Sequence, residues 1–550
     1  MPKAFSTLLA VTIASWATGL VSTGGTAQTA LPAPGPINAP LFQSATQCMV
    51  CHNSLTTPAG EDVSFGSAWG ASMMAHSARD PYWHAAVRRE TIDHPKAQAA
   101  IEQECSKCHM PMAHVESRRT GQPQSVFAHI VGAAGLPANA NPLAVEGVSC
   151  TLCHQIADDK LGTKESFTGG FTIDLTAPAE QRRMFGPYEI KPGHVALMRS
   201  ATGVQPTTAT HIQRSEVCAT CHTLYTHSLN AAGEVIAELP EQVPYEEWLH
   251  SEYRTTQSCQ SCHMPVVEQP TPITSVLGQP REGVSRHDFR GANFFMLSVL
   301  NRFRNDLGVT ALPGALDAAV TRTKSFLQTT AATITIPRVE RIDGRLDADV
   351  VVANLAGHKL PTAYPSRRAW LRVTVTDGSG RVVFASGQLG ATGAIEGNDN
   401  DQDPLRYEPH HAQIGTPDQV QIYEVIMRNQ AGAVTTGLLS GVAYLKDNRI
   451  VPRGFDKRTA PPEVAVHGVA IDDPDFGPGE DRVNYLVDVR NTSGPLTIEA
   501  QLWYQPIGFR WARNLDTYDT FETKRFVGYY DAMASSTAHM LAQTTRTVSP

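Results

Sequence analysis

The chain has 550 residues, 41% hydrophobic and 18% charged, with a formal net charge of −8. That length usually means more than one domain and a sizeable core, while the mixed, mildly acidic balance argues against a protein whose main partner is nucleic acid. No interior stretch approaches about 20 apolar residues without polar breaks, which excludes a multispanning membrane protein.

In chain order the first element is a leader. Lys3 supplies a small basic start, an apolar stretch runs from Phe5 to Val21, and small residues from Ser22 to Ala27 offer a cleavage zone. This pattern predicts a signal peptide over 1–27, a periplasmic or extracellular (outer-surface) location, and no membrane span after cleavage. Pro32 to Pro40 reads as an extended lead into the first cysteine-bearing segment.

All ten cysteines then fall in one pattern. They occur as Cys48-Met-Val-Cys51-His52, Cys105-Ser-Lys-Cys108-His109, Cys150-Thr-Leu-Cys153-His154, Cys218-Ala-Thr-Cys221-His222 and Cys259-Gln-Ser-Cys262-His263. Cys-x-x-Cys-His is the attachment signature of c-type haem. Two thiols at this spacing form thioethers to the former vinyl groups on one porphyrin edge, and the adjacent His reaches the iron from one face. Five disulfides would not need a His after each pair. Zinc sites favour paired Cys-x-x-Cys units or other His offsets. A repeated thioredoxin-type pair and an iron–sulfur cluster fit no better. The cofactor expectation is five covalently bound c-type haems, with His52, His109, His154, His222 and His263 as proximal iron ligands.

The motifs are 57, 45, 68 and 41 residues apart. That is too little chain for five separate cytochrome domains, so the haems must share walls and supply much of the core. A pentahaem region is expected over 40–310, built of short helices and loops, with helices over 69–89, 96–108 and 293–305, the last continuing after a Pro break into 314–327. From 330 to 550 there is no cysteine and the period changes to alternation. Thr333 to Pro337, and Val373 to Thr376 followed by Asp377-Gly-Ser-Gly and Val382 to Phe384, predict strands and a hairpin. More strands are expected near 349–354, 419–425, 464–471, 483–489 and 496–504, and a solvated loop over 396–403. The fold class is α+β: a helical and loop-rich multihaem region followed by a β-sandwich-like domain.

Distal ligands come from the fifteen other histidines. A surplus of His favours His/His ligation, which keeps iron low-spin and the potential lower than His/Met. Cys105 to Pro111 echoes Cys259 to Pro265, and His129 and His287 follow at similar distances; a shared unit makes them equivalent distal ligands. His76, on an expected helix, and His194 are further candidates. The fifth is His211, with His227 and His250 as alternatives. His358 could reach back from the β-region to cap a haem, or could be a turn residue. Arg367 and Arg368 could neutralise haem propionates. Met110 and Met112 read as packing, and His410 and His411 as a solvated or interface pair.

The sequence resembles multihaem cytochromes c related to the tetrahaem cytochrome c554 type and its larger bacterial relatives. The resemblance rests on Trp69-Gly-Ala-Ser72-Met-Met-Ala-His76, on the two Cys-x-x-Cys-His-Met-Pro sites, and on the block Gly357-His358-Lys-Leu-Pro361-Thr362-Ala-Tyr-Pro365-Ser-Arg367-Arg368-Ala-Trp370-Leu371 with the later Tyr444 to Arg449. It covers about 40–300 and parts of 340–460. It implies electron transfer through closely spaced haems between redox protein partners, without a nucleic-acid partner and with a possible homo-oligomer or larger electron-transfer complex. No Cys-x-x-Cys-Lys occurs, so the ammonia-forming nitrite reductase pattern is absent. Electron carriage is therefore expected rather than substrate conversion, and no catalytic residue is assigned. The alternatives are a multihaem oxidoreductase for a small nitrogen or sulfur compound and a subunit of an extracellular conducting assembly.

Overall fold

Short helices dominate the first half, several of them started by a capping side chain or a proline. The computed structural model describes residues 40–132, 135, 137 and 140–550, so the leader expected over 1–27 lies outside the described residues. Ser44 caps Ala45–His52, the helix of the first motif, by accepting from the Thr46 amide. The single helix expected over 69–89 is instead three: Phe65–Gly70, Met73–His76 and Pro81–Asp93. Ser72 starts the second. Asp80 starts the third, its carboxylate accepting from the amides of Tyr82 (2.8 Å) and Trp83 (3.2 Å), with Pro81 at the first helical position. Gln98–His109 carries the second motif, and Ser215–His222 and Cys259–His263 carry the fourth and fifth.

Phe294–Arg302 and Pro313–Thr330 are separate helices, the second leading directly into strand Ala332–Ile342. From there the chain is sheet-rich. One sheet is ordered Ile422–Tyr423, Arg368–Thr376, Leu496–Gln505, His539–Val548, with Val382–Ser386 also paired to Arg368–Thr376. The expected hairpin is present. Asp377 closes its turn by accepting from the amides of Ser379 and Arg381, and Gly380 supplies the positive φ of +83°. A second sheet is ordered Ala332–Ile342, Arg345–Asn354, Glu480–Asp488, Gln413–Ile414.

Inward residues of both sheets, among them Val350, Val352, Val373, Val375, Val483 and Ile498, share one apolar cluster. This is the sandwich expected from the alternation. Phe294, Phe295, Leu297 and Leu300 belong to the same cluster, so the helix behind the last haem motif is joined to the sandwich by shared core.

Three expectations in this region fail for local reasons. Residues 464–471 are not a strand: Pro461, Pro462 and Gly468 (φ +80°) break them into two short 3₁₀ turns. Residues 396–403 are not a solvated loop, because Asn398, Asn400 and Asp401 are buried and Asp401 pairs with Arg368 at 2.8 Å. His410 is buried rather than solvated, and Nε2 of His411 donates to the Glu408 carboxylate at 2.6 Å.

Candidate haem-binding site

One cavity of about 1760 Å³ runs through the helical region and reaches the edge of the sandwich. That exceeds the roughly 300–1,000 Å³ of an ordinary small-molecule pocket. Nine of the ten motif cysteines and all five motif histidines line it; Cys51 stands just behind, its carbonyl accepting from the Ser275 amide at 2.8 Å. All ten thiols are free of disulfides.

Motifs distant in sequence meet here. Cys48 and Cys150 lie within hydrogen-bonding reach, as do Cys108 and Cys221, and Cys218 and Cys259; Cys153 is close enough to Cys221 for their charges to interact. In space the first motif adjoins the third, the third adjoins the fourth, and the fourth adjoins both the second and the fifth.

Four proximal histidines are held the same way. Nδ1 of His52 donates to the Ile273 carbonyl (2.7 Å), that of His109 to Ser77 (3.0 Å), that of His154 to Phe185 (2.6 Å), and that of His263 to Arg290. A carbonyl only accepts, so each Nδ1 carries the proton and each Nε2 keeps a lone pair for a metal. Burial lowers the pKa of all four, those of His109 and His263 to about 4, and so keeps the imidazoles neutral as ligation requires. Trp83 stacks on His109 with planes 1° apart and centroids at 4.3 Å, fixing the ring further. His222 differs. Its ring makes no hydrogen bond among the described residues and faces the cavity near Arg367.

Of the remaining histidines, His227, His287 and His358 line the cavity. The ring of His287 faces His154 with centroids 6.4 Å apart and planes 11° from parallel. That of His358 faces His263 at 6.2 Å and 18°. Metal–imidazole bonds are about 2.0 Å, so two rings on opposite sides of one ion have centroids roughly 6 Å apart. In both distal candidates Nδ1 donates to a carbonyl, Ser285 for His287 and Lys359 for His358, each at 3.0 Å. The echo between the second and fifth motifs does not extend to this placement, because His287 faces the third motif rather than the fifth.

His76 is buried at 2% exposure, with neither ring nitrogen hydrogen-bonded, an arrangement that costs free energy until a partner arrives. It stands behind the residues that line the cavity. The other expected ligands are away from the cavity wall. His129 accepts from the Asn141 amide at 3.2 Å, Nε2 of His194 donates to Leu277 at 3.1 Å, and Nε2 of the buried His211 donates to Ile156 at 2.8 Å. His250 is exposed, with Nδ1 donating to Glu246 at 2.8 Å. Met110 and Met112 are fully buried in apolar clusters, consistent with packing.

The wall also carries charge. Arg290, Arg322 and Arg367 line the cavity and suit haem propionates. Arg368 does not, because Asp401 and Gln505 occupy its guanidinium inside the sandwich. Near the second motif, Asp80, Glu90, Glu241, Tyr82 and Tyr364 line the wall together. Burial raises Asp80 to about 6 and Glu241 to about 7, the latter reinforced by Glu90.

A second cluster, His410, Asp473 and Asp481, is buried in the sandwich with ligand atoms within 4.8 Å of one another. Its hydrogen bonds argue against a cation. Nδ1 of His410 accepts from the Gln421 amide at 2.7 Å and from Asn448 at 3.1 Å. The same two amides accept from the backbone at His411 and Glu424, which fixes their orientation. The proton therefore sits on Nε2, which donates to Asp473 at 3.0 Å.

No protein-family model matches the chain, and no curated protein matches it. Among solved structures it is similar to the penta-heme cytochrome c552 from Thermochromatium tepidum, with 15% identity and a TM-score of 0.49 over 93% of this chain and 100% of that one. The motifs stand without that likeness: ten cysteines and five histidines in one repeated attachment pattern, gathered on one cavity with Nε2 free on four proximal rings, make this a multihaem c-type cytochrome-like protein.

Proposed function

We propose that the protein carries electrons between redox partners along five covalently attached haems, after export to the periplasm or cell exterior. The single observation that carries this reading is the continuity of the cavity, which brings all five attachment motifs onto one wall system. Haem iron held here supplies a reversible one-electron couple. The chain's own residues do the rest. The motif cysteines would hold each porphyrin edge through thioethers. Ile273, Ser77, Phe185 and Arg290 orient proximal imidazoles through their carbonyls. Those hydrogen bonds raise ligand basicity and favour the oxidised ion. The placement of His287 opposite His154 supports it as the distal ligand for the third motif, and His227 is a further cavity-lining candidate.

The export reading is supported by the leader sequence. Among the described residues no helix is long and apolar enough to cross a membrane. The test is direct: the mature protein is expected to contain five covalent haems per chain, all reducible and reoxidisable. A haem content well below five, or haem extractable by acidic acetone, defeats the proposal.

A further inference from the structure

We infer that His358, supplied by the β-rich region, is the sixth ligand of the iron attached at Cys259 and Cys262, on the face opposite His263. This rests on the haem reading and adds to it a role for the sandwich: it completes a redox centre whose other attachments all lie in the helical region.

Three observations carry it. The first is the placement of the two rings, with centroids 6.2 Å apart and planes 18° from parallel, a separation that fits one ion between them. The second is the state of the nitrogens. Nδ1 of each ring donates to a backbone carbonyl, while Nε2 of His358 has no hydrogen-bond partner among the described residues and opens on the cavity.

The third is how firmly the segment is held. Glu247, fully buried on helix Pro244–Leu249, accepts from the Lys359 amide at 3.0 Å and from the Thr362 hydroxyl, and pairs with Arg449 at 3.1 Å. Asn354 donates to the His358 carbonyl at 2.8 Å. Leu360 and Ile450 exchange both backbone bonds, at 2.9 and 3.0 Å. Lys359, itself buried, reaches the Asp447 carboxylate at 2.7 Å. Gly357 passes close to Trp248, where a Cβ would approach the indole at 3.2 Å. A glutamate from the helical region thus pins the β-region loop that presents His358, through the amide of the next residue and a hydroxyl further on. Positioning of this kind is what a ligand needs.

The experiment uses the full-length, haem-loaded protein in its oxidised form. His358→Ala is expected to retain five covalent haems and convert one haem in five from low to high spin by electron paramagnetic resonance, with added imidazole restoring the low-spin signal. His358→Met keeps a ligand in place, so the spin state should hold while one haem gains the near-infrared methionine–iron band and titrates at higher potential. A His358→Ala protein with five haems and an unchanged spectrum overturns the assignment. If that variant fails to fold, unchanged potentials and no new band in His358→Met overturn it equally. A deficit of haem in the wild-type protein would instead defeat the cytochrome reading itself, which separates the two failures.

Discussion

The imidazoles of His154 and His287 face each other across the cavity with centroids 6.4 Å apart and planes 11° from parallel. One ring belongs to the third attachment motif; the other comes from the chain beyond the fifth. His287→Ala is expected to open one iron face, turning one haem in five high-spin in the oxidised spectrum. Because His154–His287 and His263–His358 are separate pairs, the double variant with His358→Ala should show two high-spin haems, the sum of the single changes. Unchanged low-spin spectra in His287→Ala would refute the pairing.

A second expectation concerns the ionic network behind His358. Burial alone would raise the Asp447 carboxyl, but Arg449 and Lys359 beside it hold it well below its usual range. Lys359 is wholly buried, at 2.7 Å from that carboxylate. Asp447→Ala leaves two buried cations without their shared anion and should cost about 3–5 kcal/mol in urea unfolding. Lys359→Met combined with Asp447→Ala should cost less than the sum of the two alone. Additive losses would show that the pair is not coupled.

The acidic wall near the second motif predicts a pH dependence. Burial, with Glu90 nearby, raises Glu241 from 4.5 to about 7 in the folded protein. Between about pH 4.5 and 7 the folded state therefore holds a proton that the unfolded state has released. Stability falls as pH rises through that window and levels off above it. Glu241→Gln should flatten this part of the profile, a change on the order of 3 kcal/mol at its largest. Asp80, raised to about 6, contributes in the same direction and should remain. An identical slope in wild type and Glu241→Gln would contradict the assignment.

The buried His410 cluster should behave as a hydrogen-bonded network and not as a metal centre. Millimolar zinc or a chelator is expected to leave the thermal midpoint of the sandwich unchanged, whereas His410→Ala, which strands Asp473, Gln421 and Asn448, should lower it. A rise of several degrees with zinc would show that the imidazole releases its Nε2 proton to a cation.

Much of this architecture is legible in sequence, because its signals are local. Cysteine spacing names the attachment sites outright, and alternation at Val373–Thr376 and Val382–Phe384, with a Gly-containing turn between, predicts the hairpin. What is not legible depends on contacts across long loops. No local pattern brings His287 opposite His154, and nothing around His358 in sequence announces that Glu247 will hold its neighbour. His194 and His211 look equal to His287 as residues; they differ in that carbonyls of Leu277 and Ile156 occupy their Nε2 atoms. Acidic Asp399 to Asp403 suggests solvent until Arg368 is seen to need Asp401 inside the sandwich.

The neighbours of the fourth motif have a consequence for traffic. A row of cofactors has two ends. Here Cys221 lies within hydrogen-bonding reach of Cys108, Cys218 within reach of Cys259, and Cys153 close enough to Cys221 for their charges to interact, so haems attached at these cysteines would form a layout with three ends rather than two. Such a layout would let the protein merge two streams of electrons or divide one, with the haem at the fourth motif as the junction.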